Sequence, residues 1–119
     1  MKHQIRSTVV FLGQDYDRNT QWLSQANKWA GINRIERTRY TIRHDAEVTV
    51  EMIAEDCFCV FNAPDEALSE NQLRRRGNYR GVSLSVGDIV QIFRSGVLVA
   101  EALCDSMGWQ IRDTLVEIS

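Results

Sequence analysis

One proline, two lysines, two histidines and three cysteines among 119 residues leave little material for several kinds of chemistry. The cysteines, Cys57, Cys59 and Cys104, are odd in number and follow no export signal, which argues against a disulfide framework. Zinc would need ligands at C-x-x-C spacing with further Cys or His nearby. Cys57 and Cys59 would stand about 200° apart on a helix, and the only histidines are His3 and His44. Neither a metal nor a cofactor is expected. No apolar run approaches the roughly 20 residues that cross a bilayer. The N-terminus leads into only about five apolar-rich positions before Gly13, against roughly 7 to 15 in a signal-peptide core. The expected setting is therefore the cytoplasm, without a membrane. The G-x-x-x-x-G-K-S/T pattern of a phosphate loop is missing as well.

What is present is a chain of one-domain size, 13.7 kDa, with 44% apolar and 25% charged residues, as in globular proteins. Residues 1–119 are read as one domain. The net charge is −2, yet twelve of the fourteen cationic residues are arginine. Arginine makes planar, bidentate contacts to carboxylate and phosphate, so the bias can mean recognition; it can equally reflect coding. The overall acidity argues against bulk nucleic-acid binding.

Patterning gives the elements. Residues 7–12, Ser-Thr-Val-Val-Phe-Leu, are short, apolar and β-branched before Gly13, a first strand that is central or well covered. Over 19–30, Trp22, Leu23, Ala26, Trp29 and Ala30 make the stripe of an amphipathic helix, with both tryptophans in the core. Residues 34–47 alternate as a second strand, Glu36, Thr38, Tyr40 and Ile42 on one face and Arg37, Arg39, Thr41 and Arg43 on the other. Thr49 caps a second helix whose inner face carries Val50, Ile53, Ala54, Cys57, Val60 and Phe61. Pro64 opens an irregular polar stretch with room for one short helix near 66–75. From Ile89 the chain turns strand-like, and Ser95-Gly96 sits where a tight hairpin would return it into 97–103. Residues 109–112 continue that strand or add an edge strand, and 115–118 pack as a tail. The expected fold is α+β: a small mixed or antiparallel sheet of about four to five strands with two helices packed on it.

Three pieces of this sequence point to a family. Phe61-Asn62 closes the second helix. Arg80-Gly81-Val82-Ser83-Leu84-Ser85-Val86-Gly87-Asp88-Ile89-Val90 follows a loop, and Cys104-Asp105-Ser106-Met107-Gly108-Trp109 comes later. Together, over about 60 residues from 50 to 109, they resemble the YodL-like domain. The loop between Asn62 and Tyr79 is longer and more basic than that pattern, Val82 interrupts its Gly-Ser step, and Trp109 stands where phenylalanine is common. The resemblance implies a fold and a mobile-element setting, and supplies no catalytic residues.

Candidate sites follow from the residues themselves. Asp88, Ser83 and Ser85 read first as a structural turn, because no histidine or lysine lies near them in sequence to serve as the base for a nucleophile. Arg74, Arg75, Arg76 and Arg80 place four guanidiniums within seven residues, with Tyr79 as a stacking ring. The plain alternative is a solvated loop paired with Asp65, Glu66 and Glu70. Arg37, Arg39 and Arg43 would add a secondary basic surface, and Trp109 an interface residue. The leading expectation is a non-enzymatic module of a phage, plasmid or other mobile element. It would bind a protein partner through Arg74, Arg75, Arg76, Tyr79, Arg80 and Trp109, on the arginine-rich loop and the C-terminal hairpin. Nucleic-acid binding by the same arginines is the alternative. An enzyme with Asp88, Asp105 and an arginine in a pocket comes third, and open strand edges leave room for a homodimer.

Overall fold

A computed structural model describes residues 4–18 and 29–114. Within them five strands and two α-helices follow in the order β1 (Ile5–Gln14), β2 (Arg34–His44), α1 (Val50–Asn62), α2 (Glu70–Arg76), β3 (Ile89–Arg94), β4 (Val97–Asp105) and β5 (Gly108–Asp113), with a 3-10 turn at Asp65–Ala67. The expected α+β class holds, and the sheet is antiparallel throughout, in the order β2-β1-β3-β4-β5.

β1 lies between β2 and β3, which explains its composition. Val9, Val10 and Phe11 are consecutive and each is at most 1% exposed, so both faces of this strand are covered. The strand is longer than 7–12 because pairing with β2 carries it out to Gln14. Thr49 caps α1 as expected, its side chain accepting from the Met52 N–H at 3.1 Å. Ile53, Ala54, Cys57, Val60 and Phe61 fall on one stripe of α1 and pack on Val9, Phe11, Val90, Ile92, Ala102 and Cys104. Each large side chain buried there contributes about 1.5–3 kcal/mol. The opposite sheet face is buried at Val10, Ile89 and Leu103 and carries a polar ladder, in which Glu101 accepts from Gln91 and from Arg112.

The Ser95-Gly96 hairpin forms as the sequence indicates: both residues have positive φ, 51° and 77°, the twist a two-residue hairpin favours. Residues 109–112 form a separate edge strand, since Ser106-Met107 turns the chain back and β5 pairs with β4. The short helix of 66–75 is two pieces, the 3-10 turn and α2. Ser69 starts α2 with a capping box, its hydroxyl accepting from the Gln72 N–H while the Gln72 side chain accepts from the Ser69 N–H. Of the helix expected over 19–30, residues 19–28 lie outside the described residues with Trp22, as do the tail at 115–118 and His3, while Trp29 and Ala30 form a turn and a bend and Ala30 is exposed. Trp29 is half-buried, with the Arg112 guanidinium 4.1 Å from its ring centre.

One strand expectation fails. A bulge between Phe11 and Leu12 skips Arg37, so strict alternation along β2 breaks there. Thr38, Tyr40 and Ile42 stay on one face, but Glu36 comes round to bond Arg39. Arg37 crosses Gly13 instead and donates to the Gln14 carbonyl at 2.6 Å.

Candidate functional site

The family-like run is built as a knot at one end of the sheet. Asn62, the last residue of α1, clamps the backbone of Leu84: its side-chain NH2 donates to the Leu84 carbonyl at 2.7 Å, and its side-chain oxygen accepts from the Leu84 N–H at 2.8 Å. Leu84 is thereby pressed into the core, 1% exposed. Asp88 is fully buried, and its carboxylate accepts from the backbone N–H of Gln14 at 3.0 Å and of Ser85 at 2.8 Å. Burial pushes the Asp88 carboxyl above its ordinary range, while the two N–H donors and nearby Arg34 pull the other way. Gly87 closes the turn with φ 96°, where a side chain would strain the backbone and meet the Gln14 amide. Asp88, Ser83 and Ser85 thus serve the turn that ties β1, α1 and β3 together.

Beside the knot lies an open groove of about 350 Å³, lined by Phe61, Ala63, Asp65, Arg76, Tyr79, Arg80 and Gly81. It gathers three of the residues singled out from sequence: Arg76, Tyr79 and Arg80. The Tyr79 ring packs edge-on against Phe61, centroids 5.2 Å apart, and near Phe11 at 6.1 Å. Its hydroxyl donates to the Val82 carbonyl at 2.6 Å, folding the side chain over Gly81. A methyl group at Gly81 would stand 2.5 Å from that hydroxyl, so the motif glycine makes room for the tyrosine. Burial raises the Tyr79 phenol above its usual value, although Arg37 opposes the shift. It stays protonated near neutral pH.

The arginines divide by task. Arg76 is mostly buried by its surroundings and donates to the carbonyls of Val60 and Ala63 while pairing with Asp65. It satisfies carbonyls at the C-terminal end of α1, which otherwise lack partners. Arg75 pairs with Asp56 of α1 at 2.5 Å in a half-buried contact. Arg74 and Arg80 point outward. Arg74 reaches only Asn71 at 3.4 Å and Glu70 at 3.9 Å, and Arg80 bonds the neighbouring Tyr79 carbonyl at 2.9 Å. The sequence places four guanidiniums together; the fold uses two of them to dock α2 on α1.

Trp109 is elsewhere. Its indole N–H donates to Glu55 at 2.8 Å and its ring meets Phe58 edge-on at 6.4 Å, so it packs on the side of α1 that faces β5. Arg75 instead lies near Tyr40 of β2, at the other edge of the sheet. Helix α1 separates the two. Of the secondary basic surface, Arg37 is taken inward by the bulge, Arg39 is paired with Glu36, and Arg43 stays exposed on β2.

A serine–histidine pair does occur, where sequence proximity gave no sign of it. Ser7 Oγ lies 2.7 Å from His44 Nε2, and His44 Nδ1 lies 2.9 Å from the Asp45 carbonyl. Register explains the meeting: Ile5 pairs with His44 across β1 and β2, which puts Ser7 one step away on the same face. Ser7 is fully buried and its oxygen also accepts from Arg94 Nε at 3.1 Å, so a substrate has no approach to it in this conformation. Among the described residues there is no cluster of three or more His, Cys, Asp or Glu fit to hold a metal. No helix among them is long and apolar enough to cross a membrane.

Set against known families, residues 6–113 match the model of the YodL-like domain, a longer span than the three motifs alone cover. No curated protein and no solved structure matches the chain.

Proposed function

This chain belongs to the YodL-like domain family, and from that premise we propose that it is a non-enzymatic interaction module of a mobile element that binds an acidic segment of a protein partner at the groove beside α1. The observation that carries the reading is the division among the arginines. Arg75 and Arg76 are consumed in docking α2, while Arg80 lies exposed on the groove wall with only a neighbouring carbonyl to bond. Phe61 and Tyr79 add an aromatic wall. A cation at the mouth of a partly apolar cleft suits a carboxylate flanked by an apolar side chain, and rings with arginine are the usual anchors of protein interfaces. The phenol is locked in a hydrogen bond and Asp65 is neutralised by Arg76, so the groove offers contacts and no activated nucleophile.

Pull-down from the native host would compare the wild type with an Arg74→Ala/Arg80→Ala double variant, whose folding these two exposed residues should leave intact. The expected result is loss of specific protein partners that persist in the wild-type sample after nuclease treatment. Identical partner sets would sink the role of the groove, and wild-type capture that vanishes with nuclease would transfer the arginines to nucleic acid.

A further inference from the structure

On the sheet face away from α1, β1 and β2 set two like charges against each other. Arg6 and Arg43 are register partners and both are exposed. Side chains paired in this way have Cβ atoms about 4.5–5.5 Å apart, and like charges there are destabilising. Among the described residues neither makes an ion pair or a side-chain hydrogen bond. Every other arginine does: each holds a carboxylate, a hydroxyl, an amide oxygen or a backbone carbonyl. The two guanidiniums that the fold leaves unmatched are therefore the two it places side by side.

Protection of a sheet edge does not account for the pair. A cation on β2, the edge strand, would discourage pairing with another chain, but β1 has a strand on both sides and needs no such guard. One step along the same face, Thr8 pairs with Thr41, adding two hydroxyls beside the two guanidiniums. No bulge interrupts the register between Arg6 and Val10, so these four side chains share one face.

We propose that Arg6, Arg43, Thr8 and Thr41 form a binding site for a dianionic phosphate group. Two guanidinium forks carried in register on adjacent strands match the charge and the several oxygens of a phosphate, and hydroxyls donate to the oxygens that remain. Binding converts the repulsion between the arginines into a shared attraction. The site is separate from the groove beside α1 and independent of any partner bound there.

The test is thermal unfolding of the full chain in chloride, inorganic phosphate and glycerol 2-phosphate at matched ionic strength and pH. Because a ligand that binds only the folded state raises the melting temperature, the wild type should melt several degrees higher in phosphate than in chloride. Arg43→Thr and, separately, Arg6→Ala should abolish that difference. In chloride each variant should be at least as stable as the wild type, since the repulsion is gone. A response to inorganic phosphate alone assigns the free ion, and a response to both assigns a phosphate group also carried as a monoester. Equal melting of the wild type in chloride and both phosphates, or a phosphate response undiminished in both variants, would overturn the site.

Discussion

Tyr40 shows how a single residue can serve packing at a cost. Its ring lies 6.0 Å from that of Phe61, while its buried hydroxyl has only the Cys57 thiol, a weak partner, against it and no oxygen or nitrogen partner among the described residues. A buried hydroxyl with no partner costs about 1–3 kcal/mol, and a thiol offsets only part of that. Tyr40→Phe keeps the ring and removes the cost, so denaturant unfolding should show a gain of about 1 kcal/mol; a loss would mean that the hydroxyl has a stronger partner in solution. Cys57 is fully buried, and burial pushes its thiol up to about 12. Tyr40 shifts in the same direction for the same reason. The unfolded thiol ionises near 9, before the folded one, so its contribution is present below that pH and is lost as pH rises toward 12. For one group the loss amounts to about 1.4 kcal/mol per pH unit within that window. Stability measured from pH 8 to 11 should therefore fall less steeply in Cys57→Ala than in the wild type. The reading of Cys57 as core came directly from helical spacing. The poorly partnered hydroxyl of Tyr40 did not, because it depends on which atoms another element brings beside it.

At the scale of elements, the junction of α1 and α2 is held mainly by arginine. Arg76 ties α2 to the carbonyls of Val60 and Ala63 and to Asp65. Hydrogen bonds involving a charged group are worth about 1.5–3 kcal/mol when partly buried. Arg76→Ala should therefore destabilise the fold by about 2 kcal/mol in chemical denaturation, whereas Arg74→Ala and Arg80→Ala should stay within about 0.5 kcal/mol of the wild type, as surface changes do. Equal effects at all three positions would contradict the division of tasks. The sequence shows an arginine run and a capping signature at Ser69 and Gln72. It does not show that Arg76 turns toward the end of α1, because that end is reached only after the chain doubles back through Pro64. The motif residues were legible in the same partial way. Asn62 and Leu84 stand out as a pattern, but the clamp between them spans 22 residues and exists only when α1 lies across the sheet. Likewise, the bulge that pulls Arg37 inward is a property of strand pairing, and alternation alone cannot place it.

For the whole molecule, strand order sets the order of opening. β1 and β3 lie inside the sheet and carry Val9, Val10, Phe11, Val90 and Ile92, all nearly inaccessible, while β2 and β5 are the edges. Amides paired between β1 and β3 should exchange with deuterium most slowly, at rates approaching global unfolding, and β5, with mostly exposed residues, should exchange early. Slowest exchange in β5 would show that another surface covers it in solution, as symmetric pairing of two copies along that edge would do.

The sequence by itself determined the α+β class, the central first strand, the Thr49 cap, the α1 core stripe and the Ser95-Gly96 hairpin. Each rests on local periodicity or on the backbone demands of a few adjacent residues, which any chain with those residues must meet. Only the tertiary structure decided which arginines are spent and which are left over, where Trp109 packs, that Ser7 meets His44, and that Arg6 faces Arg43. Those facts depend on strand register and on the crossing of α1 over the sheet. Both are set by the summed burial of many side chains far apart in sequence, so no short stretch of residues contains them.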